Sequence, residues 1–278
     1  MKEYAYYNGI FTPYDACCIP ISDRSIFFGD AVYDVVIGRN GVPYQLDAHI
    51  ERLMKNARRI GLVNMPKNDE LKAVASEIIE LSESDIFTLY MQLSGNGARR
   101  SHTRSTGEVN VLMTVTEAEI PRELGYVSAI TKADERHGYC DVKTTNLFPA
   151  VLSVADAELQ GADTAIFHKG GLVTECSAAN ISILKNGELI THPLDNTILP
   201  GISQENMKRT CENIGVKVTV RTFTAEEMLS ADAVLVTSTT KLVKICNRID
   251  GRDLVCRDFD TVLKIFDAML YDLSRETV

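Results

Sequence analysis

The stretch Gly170-Gly171-Leu172-Val173-Thr174-Glu175-Cys176-Ser177-Ala178-Ala179-Asn180, with Leu199-Pro200-Gly201-Ile202-Ser203 after it, decides how this chain is read. One carboxylate, Glu175, stands in a run of small residues. Small side chains let a flat ring approach the backbone. A carboxylate placed there can hold the proton of a ring nitrogen and keep the ring an electron sink. A surface turn followed by a strand has the same composition. Leu199 to Ser203 reads as a helix opening, where unpaired N–H groups beside a hydroxyl form an anion site. A capped helix without a ligand reads the same way.

Two further stretches lie outward from this pair. Upstream, Asp141-Val142-Lys143-Thr144-Thr145-Asn146-Leu147 holds a lone lysine among apolar and neutral polar side chains. Burial lowers a lysine's pKa, and an unprotonated amine can attack a carbonyl. A lysine at a strand end reaching solvent is the bland alternative. Downstream, Thr237-Ser238-Thr239-Thr240 follows the apolar run Ala233 to Val236 and can present several donors to a phosphate. A polar turn would look similar.

Before these lie alternating strand and helix signals. Asn8-Gly9 and Asn40-Gly41 each sit between short apolar runs and predict hairpins. Asp47 is placed to cap a helix reaching Ile60, with Ile50, Leu53, Ala57 and Ile60 on one stripe. A second helix follows Asn68. Strands are expected over 86–94 and 109–116, around the polar loop Gly95-Asn96-Gly97-Ala98-Arg99-Arg100-Ser101-His102. Later strands are expected over 127–131, 164–168, 181–184, 216–221 and 233–237, and helices over 149–160, 203–214 and 258–273. Pro121 in a charged stretch marks a boundary. The expected organisation is α+β: a small α/β domain over 1–118, a linker over 119–126, and a larger, strand-rich, barrel-like domain over 127–278.

Composition narrows the function classes. The 278 residues are 45% hydrophobic and 24% charged, ordinary for a globular protein, with a net charge of −9. No basic face argues for nucleic acid or an anionic membrane as partner. Seven cysteines in irregular positions without a CxxC pair, and five histidines without HxxxH spacing, argue against disulfide frameworks and against a metal site. No signal core precedes the first strand and no 18-residue apolar run occurs, so the cytoplasm is the expected compartment.

Taken together and in this order, these stretches resemble the fold-type IV pyridoxal-phosphate enzymes, the class IV aminotransferases. The resemblance runs from Tyr7-Asn8-Gly9 to Ile249-Asp250-Gly251. It includes Asp23-Arg24, Phe28-Gly29-Asp30, His49-Ile50-Glu51-Arg52-Leu53, Lys143-Thr144-Thr145-Asn146 and Thr174 to Asn180. It implies a two-domain fold-type IV architecture, with pyridoxal 5′-phosphate between a smaller N-terminal α/β domain and a larger strand-rich one. Lys143 matches the Schiff-base lysine, which also shuttles the substrate α-proton in a ping-pong exchange. Glu175 matches the partner of the pyridine nitrogen. Arg52 matches the phosphate-gripping arginine, helped by Leu199, Ile202, Ser203, Ser238 and Thr239.

Within the family, the resemblance is nearest to the D-amino acid aminotransferases. Tyr33, Arg100 and His102 stand where those enzymes bind the substrate α-carboxylate, and Thr240 joins the substrate side. An arginine beside a histidine suits a carboxylate on electrostatic grounds. The resemblance further implies a homodimer in which Arg100 and His102 are contributed across the interface. The expected substrates are an amino acid, D-alanine or a similar D-amino acid, and a 2-oxo acid. Ala178, where serine is frequent, and Lys241-Leu242, where serine and glutamate are, leave the substrate range open. A branched-chain L-amino acid or amine transaminase, an aminodeoxychorismate lyase, and a non-catalytic binding protein stay as alternatives.

Overall fold

The two hairpin signals open a computed structural model that describes residues 3–97, 99–104 and 107–278, so Met1, Lys2, Ala98, Ser105 and Thr106 lie outside the described residues. Strands β1 (Tyr4–Tyr7) and β2 (Ile10–Pro13) pair through Tyr7 and Ile10. Asn8 and Gly9 both take positive φ, +45° and +93°, as a two-residue turn matched to strand twist requires. Asn40 and Gly41, at +52° and +78°, do the same between β3 (Ala31–Arg39) and β4 (Val42–Pro43).

The chain divides into two compact units. The first comprises Met1–Ile120, Val142–Asn146 and Leu273–Val278. Its short helix α1 (Arg24–Phe28) precedes β3. Helices α2 (Leu46–Arg59) and α3 (Asn68–Ser82) come before β5 (Ile86–Ser94) and β6 (Asn110–Glu117). The strands form one antiparallel sheet ordered β2-β1-β6-β5-β3-β4. Ile50, Leu53 and Ala57 of α2, with Leu71, Ala75 and Ile78 of α3, pack on Val32, Val36, Leu89, Met91, Met113 and Val115. Each such large apolar side chain stabilises by ~1.5–3 kcal/mol relative to exposure.

The cap expected from Asp47 is not formed. The residue ahead of α2 is Gln45 at φ +53°, because the chain enters the helix directly from the β3–β4 hairpin. Asp47 lies within the first turn and pairs with Lys72 at 2.6 Å.

The second unit comprises Pro121–Asp141 and Leu147–Asp272. Its elements are β7 (Gly125–Ala133), α4 (Phe148–Leu159), β8 (Thr164–Lys169), β9 (Leu172–Cys176), β10 (Asn180–Lys185) and β11 (Glu188–Thr191). They continue with α5 (Ile202–Asn213), β12 (Lys217–Val220), α6 (Ala225–Leu229), β13 (Ala233–Ser238), β14 (Leu242–Ile249), β15 (Arg252–Asp253) and α7 (Phe259–Glu276), whose last residues count with the first unit. The mixed sheet runs β12-β11-β10-β13-β14-β7-β8-β9, with β15 on β14. Its parallel pairs are β11–β12, β14–β7 and β7–β8. A core of Ile166, Val173, Ile181, Ile183, Phe223, Met228 and Ile249 lies against it.

Lys143 was expected in the 127–278 domain, yet Val142–Asn146 belongs to the first unit. Val142 is buried in the first unit's core, and the segment pairs along β3. Tyr33 N–H donates to the Lys143 carbonyl at 2.9 Å and Thr145 N–H to that of Ala31 at 3.2 Å. Among the described residues, no helix is long and apolar enough to cross a membrane.

Candidate active site

Successive residues of a strand face opposite sides, so β3 presents Tyr33 to one face and Asp34 to the other. On the first face, the Tyr33 ring stacks on Tyr90 with centroids 5.4 Å apart, and Lys143 Nζ lies 4.4 Å from the Tyr33 centroid. Tyr90 donates its hydroxyl to Gln92 Oε1 at 2.7 Å. Burial, reinforced by the neighbouring Tyr33 and Tyr14, pushes the Tyr90 phenol well above its ordinary pKa.

The segment holding Lys143 is locked to the Phe28-Gly29-Asp30 turn. Gly29 has φ +57°, and a Cβ there would sit 2.2 Å from Asn146 Oδ1, so only glycine fits. Asn146 Nδ2 donates to the Gly29 carbonyl at 3.0 Å. Two stretches far apart in sequence thus meet at one glycine.

On the other face of β3, Asp34 is fully buried. A buried carboxylate requires partners. Arg52 supplies two, Nε to Oδ2 and Nη2 to Oδ1, both at 2.8 Å. His49 Nδ1 lies 2.7 Å from Oδ1 and donates there, since an ionised carboxylate only accepts. Burial would raise the Asp34 pKa, but the Arg52 charge and the His49 and Arg52 bonds outweigh it and hold the carboxyl below its usual range.

In the second unit, Glu175 is the last but one residue of β9 and Asn180 begins β10, with a tight turn between the strands closed by Cys176 N–H to the Ala179 carbonyl at 2.8 Å. Glu175 is buried. Its Oε1 accepts from Arg136 Nη1, and its Oε2 from Leu199 N–H at 3.0 Å and Asn180 Nδ2 at 3.2 Å. Leu199, expected to bind cofactor, here braces the carboxylate and also accepts from Asn180 at 2.8 Å. Arg136 makes paired bonds to Asp134 at 2.9 and 2.7 Å and lies 4.5 Å over the Phe167 ring. Burial lowers the basicity of Arg136, yet Asp134 and Glu175 more than reverse this and push its pKa above the ordinary arginine value.

Around Glu175 the same unit gathers hydrogen-bond donors. Helix α5 starts at Ile202 after Gly201, which supplies no side-chain cap, so its first N–H groups lack intrahelical acceptors. A Cβ on Gly201 would fall 1.9 Å from Asn180 Oδ1, placing this helix start against the start of β10. Ser203 is buried in the first turn. Asn180 pairs with Thr237 across β10 and β13, and the buried Thr237 Oγ1 has no hydrogen-bond partner among the described residues. Ser238, Thr239 and Thr240 follow, half-buried, before exposed Lys241 and a buried Leu242 at φ +54°. A capless helix start, an orphaned hydroxyl and a buried carboxylate fit a phosphorylated, nitrogen-containing ring.

Arg100 and His102 are exposed and both lie against Phe28, at 5.3 Å and 5.4 Å from its ring centroid. Asp34, Arg136 and Asp134 are no part of the sequence expectation, and Asn180 carries no role in it. Asp134-Glu135-Arg136, a charged triplet directly after β7, is the sequence signal for Arg136. Asp34 has no such signal, because its partners lie on the next helix.

Residues 31–249 match the family described as amino-transferase class IV. The chain is 34% identical over 251 residues, 89% of each sequence, to a D-alanine aminotransferase of Bacillus licheniformis. Its fold matches a branched-chain aminotransferase of Thermoproteus uzoniensis, crystallised with norvaline, at a TM-score of 0.90 and 21% identity, covering 99% of this chain and 96% of that one. A putative 4-amino-4-deoxychorismate lyase of Legionella pneumophila matches at 0.83 and 22%, covering 94% and 96%.

Proposed function

The chain belongs to the class IV aminotransferases and is a transaminase of the fold-type IV architecture; from that premise we propose that it uses pyridoxal 5′-phosphate to move an amino group from D-alanine or a similar D-amino acid to a 2-oxo acid. The observation that carries the reading is Lys143 Nζ beside the Tyr33 ring, in a segment fixed by Gly29 and Asn146. That proximity supports Lys143 as the amine that bonds the cofactor, with Tyr33 beside it for the substrate carboxylate.

When bound, the cofactor supplies an electron sink that acidifies the substrate α-carbon. Lys143 Nζ would hold the cofactor covalently and would give way to the substrate amine. The freed amine then carries the α-proton, acting as base and afterwards as acid. Glu175 holds the proton on the ring nitrogen. Arg52, Ile202, Ser203, Ser238 and Thr239 hold the phosphate. Tyr33, Arg100, His102 and Thr240 orient the substrate.

A cytoplasmic homodimer completes the reading, with Arg100 and His102 contributed across the subunit interface. Its support is an apolar stripe on α4, where Phe148, Val151, Leu152 and Leu159 are exposed. A panel of D- and L-amino acids, followed by cofactor absorbance and oxo-acid product, tests the assignment. Turnover of D-alanine is expected. Turnover of L-branched-chain substrates alone would move the chain to that subgroup, and release of pyruvate from aminodeoxychorismate would make it a lyase.

A further inference from the structure

The Asp23-Arg24 and Phe28-Gly29-Asp30 motifs have little chemistry in this scheme, yet much of the first unit's polar bonding centres on them. Asp23 is buried, and its carboxylate accepts from Tyr7 Oη at 3.0 Å, Ser94 Oγ at 2.7 Å, Asn110 Nδ2 at 3.0 Å, and Ser25 N and Oγ at 2.9 and 2.7 Å. Helix α1 is thereby rooted to β1, β5 and β6. The chain leaving β5 is tied to the same root. Arg24 N–H donates to the Gly95 carbonyl at 2.9 Å, Gly95 N–H to that of Asp30 at 3.0 Å, and Gly97 N–H to that of Ser22 at 3.2 Å.

Beyond the root, one arginine and one ring reach the far part of the loop. Arg24 Nε donates to Asp30 Oδ2 at 2.6 Å while Nη1 donates to the Ser101 carbonyl at 2.9 Å. The Arg24 guanidinium sits 4.6 Å over the Phe28 ring, which also receives Arg100 and the edge of His102. A cation within about 6 Å of an aromatic face is held by the ring's quadrupole. Two arginines sharing one ring repel each other, and Asp30 offsets the charge of Arg24.

We propose that Arg24 and Phe28 are positioning residues: they mount the loop so that Arg100 and His102 meet the substrate carboxylate in a fixed geometry, and they determine preference for amines that carry a carboxylate. This rests on the carboxylate-binding reading of Arg100 and His102 given above. Only arginine has a fork that spans Asp30 and the Ser101 carbonyl at once, so lysine would not replace it.

The test uses the holoenzyme with its preferred amino-acid donor and with a primary amine lacking a carboxylate. Wild type is compared with Arg24→Met, Phe28→Leu, Phe28→Tyr and Arg100→Ala, and each protein is also digested briefly with trypsin. Arg24→Met should raise KM for the amino acid about 10-fold, as loss of a charge-assisted bond implies, and leave the amine's kcat/KM unchanged. Cleavage after Arg99 and Arg100 should quicken about 10-fold as the loop loses its local protection. Phe28→Leu should act likewise with a smaller change, and Phe28→Tyr should restore both readings. If Arg100→Ala discriminates between the two substrates while Arg24→Met and Phe28→Leu behave as wild type in kinetics and cleavage, the mount is refuted and the carboxylate reading stands. If Arg100→Ala spares the amino acid, both fall.

Discussion

Arg52 in the first unit and Arg136 in the second are each mostly buried and fastened by carboxylates, and the two clusters are wired in opposite senses. In the first, Asp34 serves Arg52: a single carboxylate takes two guanidinium bonds and one from His49. In the second, Arg136 serves Glu175: one guanidinium is shared between Asp134 and Glu175. Charge explains the difference. One arginine against one carboxylate leaves the first cluster without surplus negative charge, suited to presenting a cation to a phosphate. Two carboxylates against one arginine leave the second negative, suited to a protonated ring nitrogen. The same pair of residue types can suit an anion or a cation according to the count.

The largest effect expected from breaking this arrangement is at Glu175. Glu175→Gln removes the surplus charge while keeping an acceptor for Arg136, and α-proton removal should slow about 100-fold, as loss of a hydrogen bond between charged groups implies. Rapid-mixing absorbance measures it, and wild-type rates would show that the surplus charge is idle. Arg52→Ala should weaken cofactor retention roughly 10–150-fold, read by dialysis against cofactor-free buffer. Equal retention would remove the first cluster from phosphate binding.

A smaller effect appears as pH dependence. Asp34 is held below its usual range, so it adds stability that is complete above the unfolded carboxylate value and is lost as pH falls through the lowered one. Between about pH 4 and pH 2, unfolding free energy should therefore fall more steeply in wild type than in Asp34→Asn, by about 1.4 kcal/mol per pH unit. Urea midpoints across that window decide it, and parallel slopes would mean that Asp34 is not ionised in the fold. Asp134→Asn should do least. Arg136 keeps Glu175, so turnover should drop only about 3-fold, the cost of one modest bond, and a loss as large as that of Glu175→Gln would make Asp134 an equal partner in the second cluster.

What was legible in the sequence follows from how local each cause is. Asn8-Gly9 and Asn40-Gly41 could be read because the positive φ that each turn needs is a property of those two residues. The stripe of α2 was readable because Ile50, Leu53 and Ala57 repeat at helical spacing. Asn186-Gly187 carries the same local hairpin signal between β10 and β11, with φ of +53° and +72°. The Lys143 segment was visible as chemistry but not as a member of the first unit, because its pairing with β3 joins residues far apart in the chain. Asp34, among valines in a strand, looks like an anomaly until α2 brings His49 and Arg52 to it. The residues proposed for the chemistry follow from type and order, whereas Asp34 and Arg136, which hold Arg52 and Glu175 in place, depend on contacts distant in the chain.

The account depends above all on Lys143. Borohydride reduction of the protein loaded with pyridoxal 5′-phosphate, followed by peptide mass spectrometry, tests this directly. The cofactor should be fixed to the peptide containing Lys143, and Lys143→Ala should bind cofactor without retaining it after reduction. A label on any other lysine, or none on the wild type, would contradict the account.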